Sequence, residues 1–414
     1  MKLLVISNVW VEPQSTAAGS RILQLLHIFL EQNWEVSYAS TASKSDYAFD
    51  LKVLGIATHH IEMNNASFDA FLEAEDPDIV LFDRFMTEEQ FGWRIASVCP
   101  EAIKILDTED LHCLRKAREG ALKENRSFAE SDLISDIALR EIASIYRCDL
   151  TLMISRFEME LLESFFKVPS QLLMYIPFLL DSLKADFKSY SEHDNFVSIG
   201  NFLHGPNWDA TLVLKKSIWP LIRKELPKAQ LSVYGAYPSD KVMQLHNPKE
   251  GFLIKGRADD AMEVISKAKV LLAPLRYGAG LKGKFIDAMQ CGTPSVTTEI
   301  GAEGMQQGLP WSGEVVPYFE EGNTDFYNAF AKAATALYSN ESQWKVAQEN
   351  GRAIINANFQ KSTFDQKFIY KIKTISNYLK SHRLSNFTGR MLQFHTMRST
   401  MFMSKWIEEK NKGG

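Results

Sequence analysis

The stretch PLRYGAGLKGKFIDAMQCG, Pro274 to Gly292, gathers glycines, an arginine and two close lysines ahead of a helical pattern. Val270–Pro274 before it reads as a strand, Tyr277–Gly283 as a loop with accessible backbone, and Lys284–Gln290 as the start of a helix. A helix start presents unpaired N–H groups and a positive dipole end, which together make an anion site. Lys282 and Lys284 add point charges suited to a diphosphate. Asp287, one turn in, has the chemistry to accept hydrogen bonds from a ribose diol. The bland alternative is a Gly-rich turn with solvated lysines. The spacing is neither that of a Walker A loop nor GxGxxG, which argues against a nicotinamide dehydrogenase.

Elements that would position this loop recur along the chain. Short apolar runs alternate with segments of helical period, as in βα units on a parallel sheet. Strands are predicted at Lys2–Ser7, Trp34–Ala39, Ile79–Phe82, Ile103–Leu106, Leu150–Ile154 and Leu172–Pro177, with a helix over Ser20–Asn33. The polar stretch Asp181–Asp194 is the expected linker. A second series follows at Phe196–Gly200, Leu231–Tyr234, Phe252–Lys255, Val270–Pro274 and Ser295–Thr298. Two doubly wound halves imply a cleft faced by the carboxyl ends of both strand sets. The expected division is 1–180, 195–360, a crossover helix in 361–384 and a basic amphipathic tail, 385–414. In that tail Phe387, Met391, Phe394, Met397, Met401 and Trp406 recur near helical spacing among Arg390, Arg398, Lys405 and Lys410. A helix packed on the body is the first reading, and an interfacial membrane helix the sharper one.

With 414 residues the chain exceeds one ordinary core, which fits two domains. A net charge of −5 gives no global case for nucleic acid, and none is expected as a partner. Cys99, Cys113, Cys148 and Cys291 lack CxxC spacing and fit a reducing compartment without a zinc or disulfide framework. The N-terminal apolar run is too short for a signal segment, and no run approaches the ~18 residues of a membrane span. The expected location is cytoplasmic, with the inner membrane surface as the place a membrane-binding tail would reach.

Pro274 to Met305 resembles the donor-binding segment of the retaining, group 1 (family 4) glycosyltransferases of GT-B fold. FVSIGNFLHGPNWDA (Phe196–Ala210) resembles the opening of their second domain. KILDTEDLHCLRKARE (Lys104–Glu119) and LTLMISRFEMELL (Leu150–Leu162) resemble first-domain segments. The resemblance runs in order from about Met1 to Leu379. It implies two Rossmann-like domains facing each other across a cleft, with C-terminal helices, and a nucleoside-diphosphate sugar as donor. The family's Glu-x7-Glu motif falls on Ala279 and Asp287, so the ribose-binding carboxylate is present in shortened form and the sugar-contacting one is absent. Of the family's phosphate-binding basic pair, Lys282 is matched. His204, Gly205 and Pro206 stand where the other is expected, and Lys284 is the substitute.

The resemblance also assigns the other wall of the cleft. Ala18-Gly19-Ser20 matches the glycine loop that approaches the donor phosphate, with Arg21 read as a surface residue. His112 matches the histidine near the reacting sugar, with Asp107 and Asp110 as neighbouring alternatives and Asp110 also a candidate helix N-cap. Gly200, Asn201 and Asn207, and Ala302 and Glu303 in the Gly301–Gly304 turn, sit at carboxyl ends of second-domain strands. The expected catalytic residues are His112 and Lys282. Gly19, Ser20, Gly200, Asn201, Asn207, Gly280, Lys282, Gly283, Lys284, Asp287, Ala302 and Glu303 are the expected donor-binding set. The basic run Arg115, Lys116, Arg118, Lys123 and Arg126 reads as a solvated helix face or an approach for an anionic acceptor.

The expected activity is transfer of a sugar, hexosyl in type, to an acceptor hydroxyl on a glycan, glycolipid or protein, with retention of anomeric configuration. No cofactor or metal is expected. A nucleotide-sugar epimerase of similar fold and a non-catalytic nucleotide-sugar-binding subunit are the alternatives, the second motivated by Ala279.

Overall fold

The computed structural model describes residues 1–183, 187–318 and 324–412. Residues 184–186 of the expected linker and 413–414 of the tail lie outside the described residues. Seven parallel strands form the first sheet: β1 (Lys2–Ser7), β2 (Glu35–Ser40), β3 (Ala57–His60), β4 (Ile79–Asp83), β5 (Ile103–Asp107), β6 (Leu150–Met153) and β7 (Leu173–Tyr175), in the order β3-β2-β1-β4-β5-β6-β7. Six more, β8 (Asp194–Ile199), β9 (Leu231–Tyr234), β10 (Phe252–Gly256), β11 (Ala268–Ala273), β12 (Ser295–Thr297) and β13 (Gly313–Val315), make a second parallel sheet in the order β10-β9-β8-β11-β12-β13. This is the GT-B arrangement. In each sheet the order reverses beside the first strand, between β1 and β4 and between β8 and β11, where ligands bind in open α/β sheets.

Both faces of the first sheet are covered, which is why its strands read as unbroken apolar runs. Along β1 the pleat sends Leu4 and Ile6 into one apolar cluster and Leu3 and Val5 into another. In the second domain Phe196 and Val197 divide in the same way between two clusters. The strands absent from the sequence reading are β3 and β13. Both are short edge strands without a fully buried residue, so no apolar run marks them.

The chain crosses between the domains twice. Leu180 and Gln360 form a parallel bridge there, in which the Leu180 N–H donates to Phe359 O and the Lys361 N–H donates to Leu180 O, each at 2.8 Å. The helix Lys361–Asn377 then buries Phe368, Ile369, Ile372 and Ile375 in the first domain's core. Phe368 meets Phe29 with ring centroids 5.5 Å apart.

The tail folds as the helix Phe387–Lys412, packed on the first-domain helices Phe85–Val98 and Asp136–Arg147. Met397 and Ser404 are buried on that side, and Arg94 reaches both Ser404 and Glu408. The outer side exposes Phe387, Met391, Phe394, Phe402, Met403 and Trp406, with Arg398 over the Phe394 ring and Lys410 over Trp406. One side of the tail thus packs on the body, and the other is exposed. Among the described residues no helix is long and apolar enough to cross a membrane.

Because Phe368 belongs to the first domain's core, Phe368→Ala should destabilise that domain by about 3–5 kcal/mol. Urea unfolding followed separately for each domain should show the loss in the first domain alone.

Candidate active site in the interdomain cleft

Two helices approach head to head where the domains meet. Ala17–Glu31 begins after β1 and is capped by Thr16, whose hydroxyl accepts from the Gly19 N–H at 3.0 Å. Gly283–Cys291 begins after β11, and no side chain caps it. A Cβ on Gly283 would lie 2.7 Å from the Ala17 Cβ, so glycine is what allows the two N-termini to meet. Their positive dipole ends point at one place, a cavity of about 480 Å3, a size common for small-molecule sites.

Ser20, Gly200, Asn201, Asn207, Gly280, Lys282, Gly283, Lys284 and Asp287 all line this cavity. Lys284 donates to Asn207 Oδ1 at 2.8 Å, and the Asn207 amide nitrogen donates to Asn201 O at 3.0 Å. Lys284 is partly buried in the cavity wall, and desolvation, with no neighbouring carboxylate opposing it, lowers its pKa to about 7. Lys282 is more fully matched. Its Nζ donates to Gly280 O at 2.8 Å, and desolvation lowers its pKa against the pull of Glu303 and Glu158. Asp287 is pushed up to about 7 by desolvation and then by Asp260. The cavity thus holds a lysine short of an anion and a carboxyl short of donors.

Other expected site residues stand elsewhere. Gly19 faces a smaller neighbouring cavity, and its missing side chain makes room for the Glu12 backbone, 2.4 Å from where a Cβ would be. Arg21 is fully buried rather than on the surface, because it pairs with Asp107 and also donates to Ile176 O and Pro177 O. That fork makes Asp107 a structural residue. Ala302 is packed in the second domain's core. Glu303 meets Arg118 across the cleft through two hydrogen bonds of 2.9 and 2.8 Å. His112 stands behind the cavity wall. Its Nε2 lies 3.4 Å from Asp110, its ring meets Phe85 edge-on, and burial lowers its pKa to about 4. Asp110 faces the cavity and is not an N-cap. Leu111 holds that position, and Glu141 takes up the helix's first N–H groups, those of His112 and Cys113.

The residues of the basic run are each paired with a carboxylate. Arg115 pairs with Asp110, Arg118 with Glu303, Lys116 and Lys123 with Glu119, and Arg126 with Asp132 and Glu124.

Sequence reading missed the side chains at the ends of β4 and β5. Arg84 and Glu109, both lining the cavity, adopt left-handed backbone with φ of 69° and 62°. Arg84 holds Asp83 at 3.0 Å, and Asp83 accepts from Ser7 at 2.6 Å. Burial first, then Asp107, pushes Glu109 up to about 8. Only the strained backbone distinguishes these residues, and a sequence carries no direct mark of it. Among the described residues no group of His, Cys, Asp or Glu has metal-binding geometry.

The signs of these shifts fix a pH dependence. Between about 7 and 10.5 the unfolded chain holds the Lys284 proton and the folded chain does not, so this residue makes the empty protein gain stability as pH rises through that window. A diphosphate bound beside Lys284 should draw the proton back. Calorimetry in buffers of different ionisation enthalpy should show proton uptake on binding at pH 8, smaller uptake at pH 6, and less uptake at pH 8 in Lys284→Met.

Residues 193–340 match the family model described as glycosyl transferases group 1. No curated protein sequence matches the chain. Among solved structures, a variant of S. aureus TarM in complex with UDP and alpha-GlcNAc-glycerol superposes with a TM-score of 0.67 at 10% identity, covering 90% of this chain and 99% of that one. Sucrose-phosphate synthase from Thermosynechococcus elongatus gives 0.65 at 15% identity, covering 91% and 99%. Anabaena HepE in complex with UDP gives 0.62 at 12% identity, covering 90% and 100%. The chain is a GT-B protein whose second domain is related to the group 1 glycosyl transferases.

Proposed function

We propose that the protein is a retaining glycosyltransferase that moves a sugar from a nucleoside diphosphate to an acceptor hydroxyl. The observation that carries this reading is Lys284, a lysine held uncompensated at a point where two helix N-termini converge. A diphosphate supplies the missing charge, and a ribose supplies donors for Asp287. The family match over 193–340 and the UDP complexes of TarM and HepE, which share the fold, support the same assignment.

In the reaction the bond from the anomeric carbon to the diphosphate oxygen breaks, and its electron pair stays on the diphosphate. Lys282, Lys284 and the two helix ends stabilise that developing charge. The acceptor oxygen bonds the same face of the anomeric carbon, and its proton passes to the departing diphosphate oxygen. A glycoside and a nucleoside diphosphate result, so the two-carboxylate scheme of glycosidases is not required. His112 acts from behind, by orienting Asp110 at the cavity wall.

A binding screen with UDP-, GDP-, ADP- and dTDP-sugars, followed by mass spectrometry with an acceptor panel, tests this reading. Transfer of mass to an acceptor is expected. Donor isomerisation without an acceptor would instead mark an epimerase, and binding without turnover a non-catalytic subunit. Lys282→Ala and Lys284→Met should each weaken nucleoside diphosphate binding by about 10–100-fold and nucleoside binding by about twofold at most. Equal loss of both affinities would remove the phosphate role.

The acceptor proposed is a glycan or glycolipid of cell-surface synthesis, met at the inner face of a membrane. The tail's outer face supports this, because its aromatic and methionine side chains alternate with Arg390, Arg398, Lys405 and Lys410. Replacing Phe394, Phe402 and Trp406 with serine should abolish sedimentation with anionic liposomes and leave donor binding intact. Unchanged sedimentation would overturn the membrane role.

A further inference from the structure

One fully buried carboxyl group reaches from the first domain into the loop before the second domain's anion-binding helix, and the chemistry above does not use it. Glu158 lies in the first turn of the helix Arg156–Ser164. Its Oε1 accepts from the Gly280 N–H at 2.6 Å, across the domain boundary, and from the Leu111 N–H at 3.3 Å within its own domain. Its Oε2 has no hydrogen-bond partner among the described residues. A carboxyl group kept buried and half-satisfied needs a compensating role.

The surrounding contacts show what it holds. Arg118, also of the first domain, donates to Gly278 O at 2.9 Å. Gly280 has a φ of 64°, and a Cβ there would lie 2.9 Å from the Asp110 Cβ, so the loop is pressed flat against the opposite domain. The Ala279 methyl packs into the first domain's apolar cluster. Lys282, two residues on, closes back on Gly280 O. The backbone of Gly278–Gly280 is therefore bonded by first-domain side chains, immediately before the lysines and the helix start that line the cavity.

We infer that Glu158 is a positioning residue that sets the shape of the Gly278–Lys282 loop from the opposite domain, so that the loop takes its ligand-holding form only when the cleft is closed. This deepens the glycosyltransferase reading and rests on it for the identity of the ligand. Burial, followed by the nearby Asp110 carboxylate, pushes the Glu158 pKa up to about 8 against the Gly280 hydrogen bond. A neutral carboxyl group still accepts through its carbonyl oxygen, so glutamine is the conservative replacement and methionine the apolar one of similar volume.

The test uses the full chain as E158Q and E158M, with hydrogen exchange of the segment spanning Gly278–Gly283 measured without ligand. Wild type and E158Q should protect the Gly280 amide, and E158M should exchange it at least tenfold faster. With saturating donor, E158M should lose about 10–100-fold in kcat with little change in acceptor KM, and E158Q should restore most of it. Wild-type protection and turnover in E158M would overturn the inference, because simple packing at this position survives that change. Should E158M fail to fold, E158D decides on the same readouts: its shortened side chain cannot span the gap to Gly280, and wild-type exchange in it would overturn the inference. If the wild type binds no nucleoside diphosphate, the glycosyltransferase reading falls, while the ligand-free exchange comparison still decides the role of Glu158.

Discussion

Bringing two helix N-termini nose to nose is electrostatically unfavourable, and the rest of the structure is arranged around that constraint. The helices Ala17–Glu31 and Gly283–Cys291 meet with only a glycine between them, and two lysines stand at the same spot. Like partial charges in a poorly solvated cleft repel more than they would in water. Such a junction is tolerable when something anionic sits in it. An anion placed between the two helix ends would offset their repulsion, which ties the charge of the site to the approach of the domains.

The placement of the other charges follows from it. Almost every cation facing the cleft from the first domain is assigned to a carboxylate: Arg84 to Asp83, Arg115 to Asp110 and Arg118 to Glu303. These pairs keep the wall polar without competing for the ligand. The Arg118–Glu303 pair crosses the boundary and supplies attraction near the point where the helix ends repel. Lys284, on the second-domain side, is bonded instead to the neutral Asn207 amide, and the carboxylate that would hold its proton is missing.

Much of this was legible in the sequence, for a physical reason. Parallel strands buried on both faces must be apolar throughout, so the inner strands of both sheets announce themselves, as does the loop-to-helix step at Gly283. The edge strands β3 and β13 bury too little to leave a pattern. The contacts across the cleft were less readable, because they join partners far apart in the chain. Arg118 and Glu303 are 185 residues apart, and nothing local in RKARE or GAEGM points one to the other. Arg21 looked exposed because arginine usually is, yet its fork with Asp107 lies in the interior. Glu158 sits in an ordinary amphipathic helix pattern, and only the folded chain shows that it belongs to the opposite loop.

The double crossing of the chain bears on how such a cleft opens. Leu180 and Gln360 lie side by side, and Leu180 exchanges backbone hydrogen bonds with Phe359 and Lys361, so the domains are joined by two linked chain segments instead of a single tether. A single tether would permit one lobe to swivel freely and arrive in many orientations. Two segments pinned together would resist torsion more than bending. Were the cleft to open, such a joint would favour return along one arc, with Ala17 again facing Gly283.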